Sequence, residues 1–84
     1  MVKVLTKDNC QYCNNLKMFL RMGLGGSLDD KIEFVHKETN EEEYEKLKEA
    51  HNVQSVPFAV ADNGDTLSMS PFDPVKAEQF ISSH

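Results

Sequence analysis

Cys10 and Cys13 are the only cysteines among 84 residues, set two apart in Cys10-Gln11-Tyr12-Cys13, with Lys7 three positions ahead. Such a pair can cycle between dithiol and disulfide, supply half of a tetrahedral metal site, or carry no chemistry at all. In the redox case a thiolate attacks a disulfide and forms a mixed disulfide, and a second thiol one helical turn away releases the product. The attacking thiol must then ionise easily. At a pKa of ~8.5 it is only a few per cent thiolate at pH 7, whereas below ~6 it is mostly thiolate. Cys10 is predicted at a strand-to-helix junction, where unpaired backbone N–H groups and the helix dipole favour negative charge. Lys7 adds a positive field. Cys13 is predicted to be the more buried and less acidic thiol, placed to resolve the mixed disulfide.

A zinc site needs four ligands, commonly a second cysteine pair or a close histidine pair. His36, His51 and His84 lack that spacing and read as strand, helix-end and terminal surface residues, so no metal is expected. The glycine-rich stretch "GLGGSLDD" (23–30) has no lysine–serine pair at a phosphate-binding spacing and reads as a connection.

The formal net charge is −5, against a nucleic-acid binder, which would carry a basic face. Glu38, Glu41, Glu42, Glu43, Glu45 and Glu49 hold much of the acidic excess and read as a solvated helix face. No apolar run approaches the ~20 residues that span a bilayer. "MVKVLTKDN" has no apolar core of a signal peptide. A cytoplasmic location is therefore expected, and there a static disulfide is disfavoured while a cycling pair is at home.

The elements around the cysteines follow from periodicity. "VKVLT" (2–6) alternates apolar and polar residues and predicts a strand. A helix is predicted over Cys13–Met22, with Leu16, Phe19 and Leu20 on one face and Gly23 as its stop. "KIEFVHK" (31–37) alternates again. Asn40 and Glu43 form a candidate capping box for a helix whose buried stripe is Tyr44, Leu47 and Ala50 or His51. Phe58–Ala61 and Thr66–Met69 predict a hairpin about Asn63-Gly64. Asp73-Pro74 opens a last helix with Ala77, Phe80 and Ile81 inward. The order β-α-β-α-β-β-α predicts one α/β domain over residues 1–84, a four-stranded mixed sheet with three helices on both faces. Pro57 opens the third strand. It reads either as a trans proline at a strand start or as a cis proline facing the cysteines, and trans is the commoner state.

With C-x-Y-C after a strand, Lys7 ahead of it, Val56-Pro57 opening another strand and this element order, nearly the whole chain resembles the glutaredoxin family of the thioredoxin fold. The resemblance implies a thiol–disulfide oxidoreductase with Cys10 attacking and Cys13 resolving. It implies a glutathione groove of Lys7, Tyr12, Val56, Pro57 and Asp73, with Val56 presenting its backbone and Pro57 in cis. Glutathione is then reductant or substrate, no cofactor is bound, and a monomer acts on disulfide-containing proteins such as ribonucleotide reductase. One departure is that Ser70-Pro71-Phe72-Asp73-Pro74 lacks the family's two glycines and second aspartate. That stretch is similar to redoxins that serve ribonucleotide reductase and draw electrons from thioredoxin reductase, an alternative reading. An alternative of another class is an iron–sulfur cluster binding module. Tyr12 and the second cysteine count against it.

Overall fold

Val2–Thr6 (β1) carries five residues of which four are buried, and it lies second in a four-stranded sheet. The computed structural model describes all 84 residues, Met1–His84. In chain order β1 is followed by α1 (Gln11–Met18), β2 (Ile32–His36), α2 (Glu41–Ala50), β3 (Phe58–Ala61), β4 (Thr66–Ser68) and α3 (Pro74–Ser82). The sheet runs β2-β1-β3-β4. β1 pairs in parallel with β2, from Val2 opposite Ile32 to Thr6 opposite His36, and antiparallel with β3; β3 and β4 are antiparallel. This is the mixed sheet and element order expected from the sequence.

Strand alternation divides the core between two faces. On one, Val2, Val4, Ala59 and Ala61 meet Leu16 of α1, Leu20 in the turn that continues it, and Ala77 and Ile81 of α3. On the other, Leu5, Val35 and Val60 meet Tyr44 and, partly buried, Leu47 of α2. Each fully buried aliphatic side chain in such a layer contributes roughly 1.5–3 kcal/mol relative to exposure. Alanines at 59 and 61 give two helices room on the same face. On β2 only Val35 is fully buried, while Phe34 stays exposed beneath the Lys17 ammonium, 5.5 Å from its ring centre.

Several boundaries differ from the sequence expectation, each for a local reason. α1 begins at Gln11, because Cys10 itself is the N-cap. Gly23 is no stop: the chain passes through it in a wider π-helical turn, Phe19–Gly23, and reverses at Gly25 and Gly26, both at positive φ. The capping box at Asn40 does not form. The Asn40 N–H donates to the His36 carbonyl at 2.7 Å, which leaves Glu43 nothing to cap, and Glu43 pairs instead with Lys3. Ala50 is exposed while the C-cap His51 is half-buried, so of the two candidates for the end of the α2 stripe the structure takes His51. The hairpin turns over Ala61–Gly64, one residue before Asn63-Gly64 would place it, and Gly64, at φ 94°, forms the bulge before Asp65 pairs with Ala61.

α2 ends in a Schellman turn. Asn52 adopts φ 51°, and the Val53 N–H reaches the Lys48 carbonyl at 3.0 Å. Val53 is buried, which directs residues 54–57 across the end of the sheet. α3 starts on Asp73, whose Oδ1 accepts from the Val75 and Lys76 amides, with Pro74 in the first turn. No helix is long and apolar enough to cross a membrane.

Beyond α3, His84 joins α3 to the hairpin: Nδ1 donates to the Phe80 carbonyl at 2.7 Å and Nε2 to Asp65 Oδ2 at 2.9 Å. The Phe80 carbonyl first, then Asp65, raises the His84 pKa above its ordinary 6.5. His84, and then Asn63, holds the Asp65 carboxyl below its ordinary 3.8. A raised histidine stabilises fully below the unfolded pKa and ceases to do so as pH rises through the folded one. A depressed aspartate stabilises above its unfolded pKa and is lost as pH falls through the folded one. The stability difference between wild type and His84→Gln, measured by urea unfolding, should therefore be largest between about pH 4 and 6.5 and shrink at higher pH. A difference independent of pH would contradict the charged pair.

Candidate functional site

β1 and β2 end side by side at Thr6 and His36, so the turns leaving them share one end of the sheet. The Lys37 N–H donates to the Thr6 carbonyl at 2.9 Å and continues the ladder one step further. The turn after β1, Lys7-Asp8-Asn9, closes through Asn9 at φ 56°, a left-handed conformation that asparagine tolerates. Cys10 then leads into α1.

Cys10 caps α1 with its sulfur. The Cys13 N–H donates to Cys10 Sγ at 3.2 Å, which satisfies one of the free amides of the first turn. The two cysteines are paired with a Cα–Cα separation of 5.2 Å, inside the ordinary disulfide range. They differ in access: Cys10 is 8% exposed and Cys13 0%. An incoming disulfide can therefore touch only Cys10.

Opposite the pair, the 53–57 segment brings Val56 over Cys10, with the Val56 carbonyl oxygen 3.6 Å from Cys10 Sγ. The Val56–Pro57 peptide is cis, and Pro57 is buried; Ser70–Pro71 is cis as well, which nothing in the sequence indicated. Neither the N–H nor the C=O of Val56 takes part in a backbone–backbone hydrogen bond. Both backbone polar groups of Val56, beside the cysteines, are thus left unpaired by the main chain.

A shallow cleft beside these groups is lined by Lys7, Lys37, Lys48, Tyr44, Gln54, Ser55 and Val56. Lys7 and Val56, named from the sequence, meet here. Lys37, Lys48 and Tyr44 also line the cleft and were missed. The signal for Lys37 was present in principle, since parallel strands that end together bring residues 7 and 37 to one place. Burial pushes the Tyr44 phenol above its ordinary pKa, so it stays protonated across the working range. Tyr12 is exposed in the first turn of α1. Asp73 lines a second concavity, formed by residues 67–74 and 76, and its Oδ1 caps α3. A larger concavity at the start of α2, lined by Lys3, Thr39, Glu41, Glu42, Glu43 and Lys46, contains neither cysteine.

No family model matches the chain, and no curated protein matches it. Among solved structures, the X-ray structure of Northeast Structural Genomics target protein XcR50 from X. campestris aligns over 100% of this chain and 99% of its own. The TM-score is 0.61 and the identity 18%. That likeness speaks to the fold. With the β-α-β-α-β-β-α order and the β2-β1-β3-β4 sheet, the chain adopts a small α/β thioredoxin fold.

After reduction, iodoacetamide should modify Cys10 well before Cys13, read by peptide mass spectrometry over time. Equal rates for the two sulfurs at neutral pH would contradict the difference in access and in helix-start stabilisation.

Proposed function

We propose that this protein is a dithiol thiol–disulfide oxidoreductase of glutaredoxin type that reduces protein and glutathione mixed disulfides in the cytoplasm. The observation that carries the reading is the placement of Cys10: the accessible sulfur of a C-x-x-C pair, at a helix start, under the open backbone of Val56.

The Cys10 thiolate attacks one sulfur of a substrate disulfide, forms a mixed disulfide and expels the other sulfur as a thiolate. The Cys13 thiolate then attacks Cys10 Sγ, expels the second substrate sulfur, and leaves Cys10–Cys13 oxidised. Two electrons pass from the dithiol to the substrate, and two equivalents of an external thiol restore the reduced pair. Val56 holds the substrate backbone in extended form, as a strand edge holds a peptide. Lys7, Lys37 and Lys48 attract carboxylates of glutathione or of an acidic protein segment. Tyr12 flanks the approach from the first turn of α1. Ribonucleotide reductase is a candidate acceptor on grounds of resemblance alone.

A second reading of the electron source rests on the stretch Ser70-Pro71-Phe72-Asp73-Pro74, whose Ser-x-Phe-x-Pro pattern the chain shares with redoxins reduced by thioredoxin reductase.

Cys10→Ser should abolish disulfide reduction. Cys13→Ser should keep activity toward glutathione mixed disulfides and lose at least about tenfold toward protein disulfides, where the intramolecular second attack is needed. Equal loss in both assays would overturn the assigned roles. Turnover of a small disulfide with glutathione and its reductase, against thioredoxin reductase alone, separates the two electron sources.

A further inference from the structure

His36 stands at the end of β2 with its ring mostly covered, 21% exposed, and engaged on both nitrogens. Nδ1 lies 2.9 Å from Thr6 Oγ1, and Thr6 is fully buried. Nε2 lies 2.9 Å from Asp8 Oδ1 and 3.1 Å from Glu38 Oε1. Glu38 Oε1 also accepts the Asp8 N–H at 3.0 Å. One imidazole nitrogen and two carboxylate oxygens, from the turn after β1 and the end of β2, lie within 4.8 Å of one another.

We propose that Asp8, His36 and Glu38 form a binding site for a divalent transition metal, with Zn²⁺ as the ion that suits it. Zinc binds imidazole nitrogen and carboxylate oxygen at about 2.0–2.2 Å, so two donors on one tetrahedral ion stand about 3.3–3.6 Å apart. The two Nε2–oxygen separations, 2.9 and 3.1 Å, must open to reach that range. The ion takes the place of the Nε2 proton, which the same two oxygens otherwise accept. The remaining ring proton then resides on Nδ1 and is donated to Thr6 Oγ1, the outer contact that orients a metal-binding histidine. A hydroxyl both donates and accepts, so Thr6 serves either tautomer. Two carboxylates balance the charge of the ion. Lys7 and Lys37, next to the ligands in the chain, line the neighbouring cleft and oppose binding in part. Three protein ligands leave a further position for water. Asp8 lies two residues before Cys10, so the bound ion ties the turn carrying the accessible sulfur to the loop after β2. The site does not depend on the function proposed for the cysteines.

Calorimetric titration of Zn²⁺ into the oxidised full chain, in which neither sulfur is free to bind metal, tests this. One equivalent should bind in the micromolar range, and the thermal midpoint of the oxidised protein should rise with added zinc. His36→Gln should weaken binding at least about tenfold, as loss of a ligand does. Glu38→Gln, at an exposed carboxylate where folding is not at stake, should weaken it similarly, while His84→Gln leaves it unchanged. Absence of saturable binding to the oxidised protein would overturn the proposal, as would unchanged affinity in Glu38→Gln. If His36→Gln fails to fold, Glu38→Gln alone decides.

Discussion

Cys10 ends the turn out of β1 and caps α1, with its sulfur accepting the Cys13 amide at 3.2 Å. The rest of the site is arranged around that bond. A cap is commonly an oxygen of Ser, Thr, Asp or Asn. A sulfur there gives up some capping strength, and in exchange a thiolate sits where free amides and the helix dipole stabilise it. Cys13 lies inside the first turn and is fully buried, so the two sulfurs differ in access. Capping geometry thus sets which sulfur is presented and which is held back.

That cap could not hold its place without the sheet beneath it. β1 is bordered by β2 and β3 and covered on both faces, so its end at Thr6 is fixed laterally and vertically. The parallel pairing with β2 brings two loops to the same end, a consequence of strand direction that antiparallel neighbours do not share. In open sheets with parallel strands, ligand sites gather beyond the carboxyl ends for this reason. Here the same end carries the accessible sulfur, the lysine cleft and the His36 cluster. The Schellman turn at Asn52 completes it by delivering Val56 from the opposite side.

The elements were legible in the sequence because each has an apolar period matched to its burial: Val2, Val4 and Leu5 in β1, Leu16 and Leu20 in the first helical stretch, Ala77 and Ile81 in α3. The cysteines were legible because their spacing is itself chemical. Other features depended on partners that no local pattern specifies. Asn40 and Glu43 have the residue types of a capping box, yet the Asn40 amide is taken by His36 and Glu43 by Lys3 of β1. Asp73 satisfied two patterns at once, a helix cap and a ligand contact. The structure shows the cap, through Oδ1. His36 read as a surface residue of a strand because two of its partners, Thr6 and Asp8, become neighbours only through the parallel register.

Net charge and local charge point in different directions in this chain, and distance decides which governs a ligand. The protein carries −5 overall, with much of the acid on and around α2. At physiological salt, screening acts over about 8 Å, so a ligand at the cysteines responds mainly to groups within that range. The cleft by Val56 is lined by Lys7, Lys37 and Lys48. A protein that is acidic at long range can thus present a cationic approach to its accessible sulfur. An anionic thiol ligand would be slowed by the whole molecule at low ionic strength and drawn in by the cleft once close. Raising salt from very low values should remove the long-range repulsion before it erodes the short-range attraction.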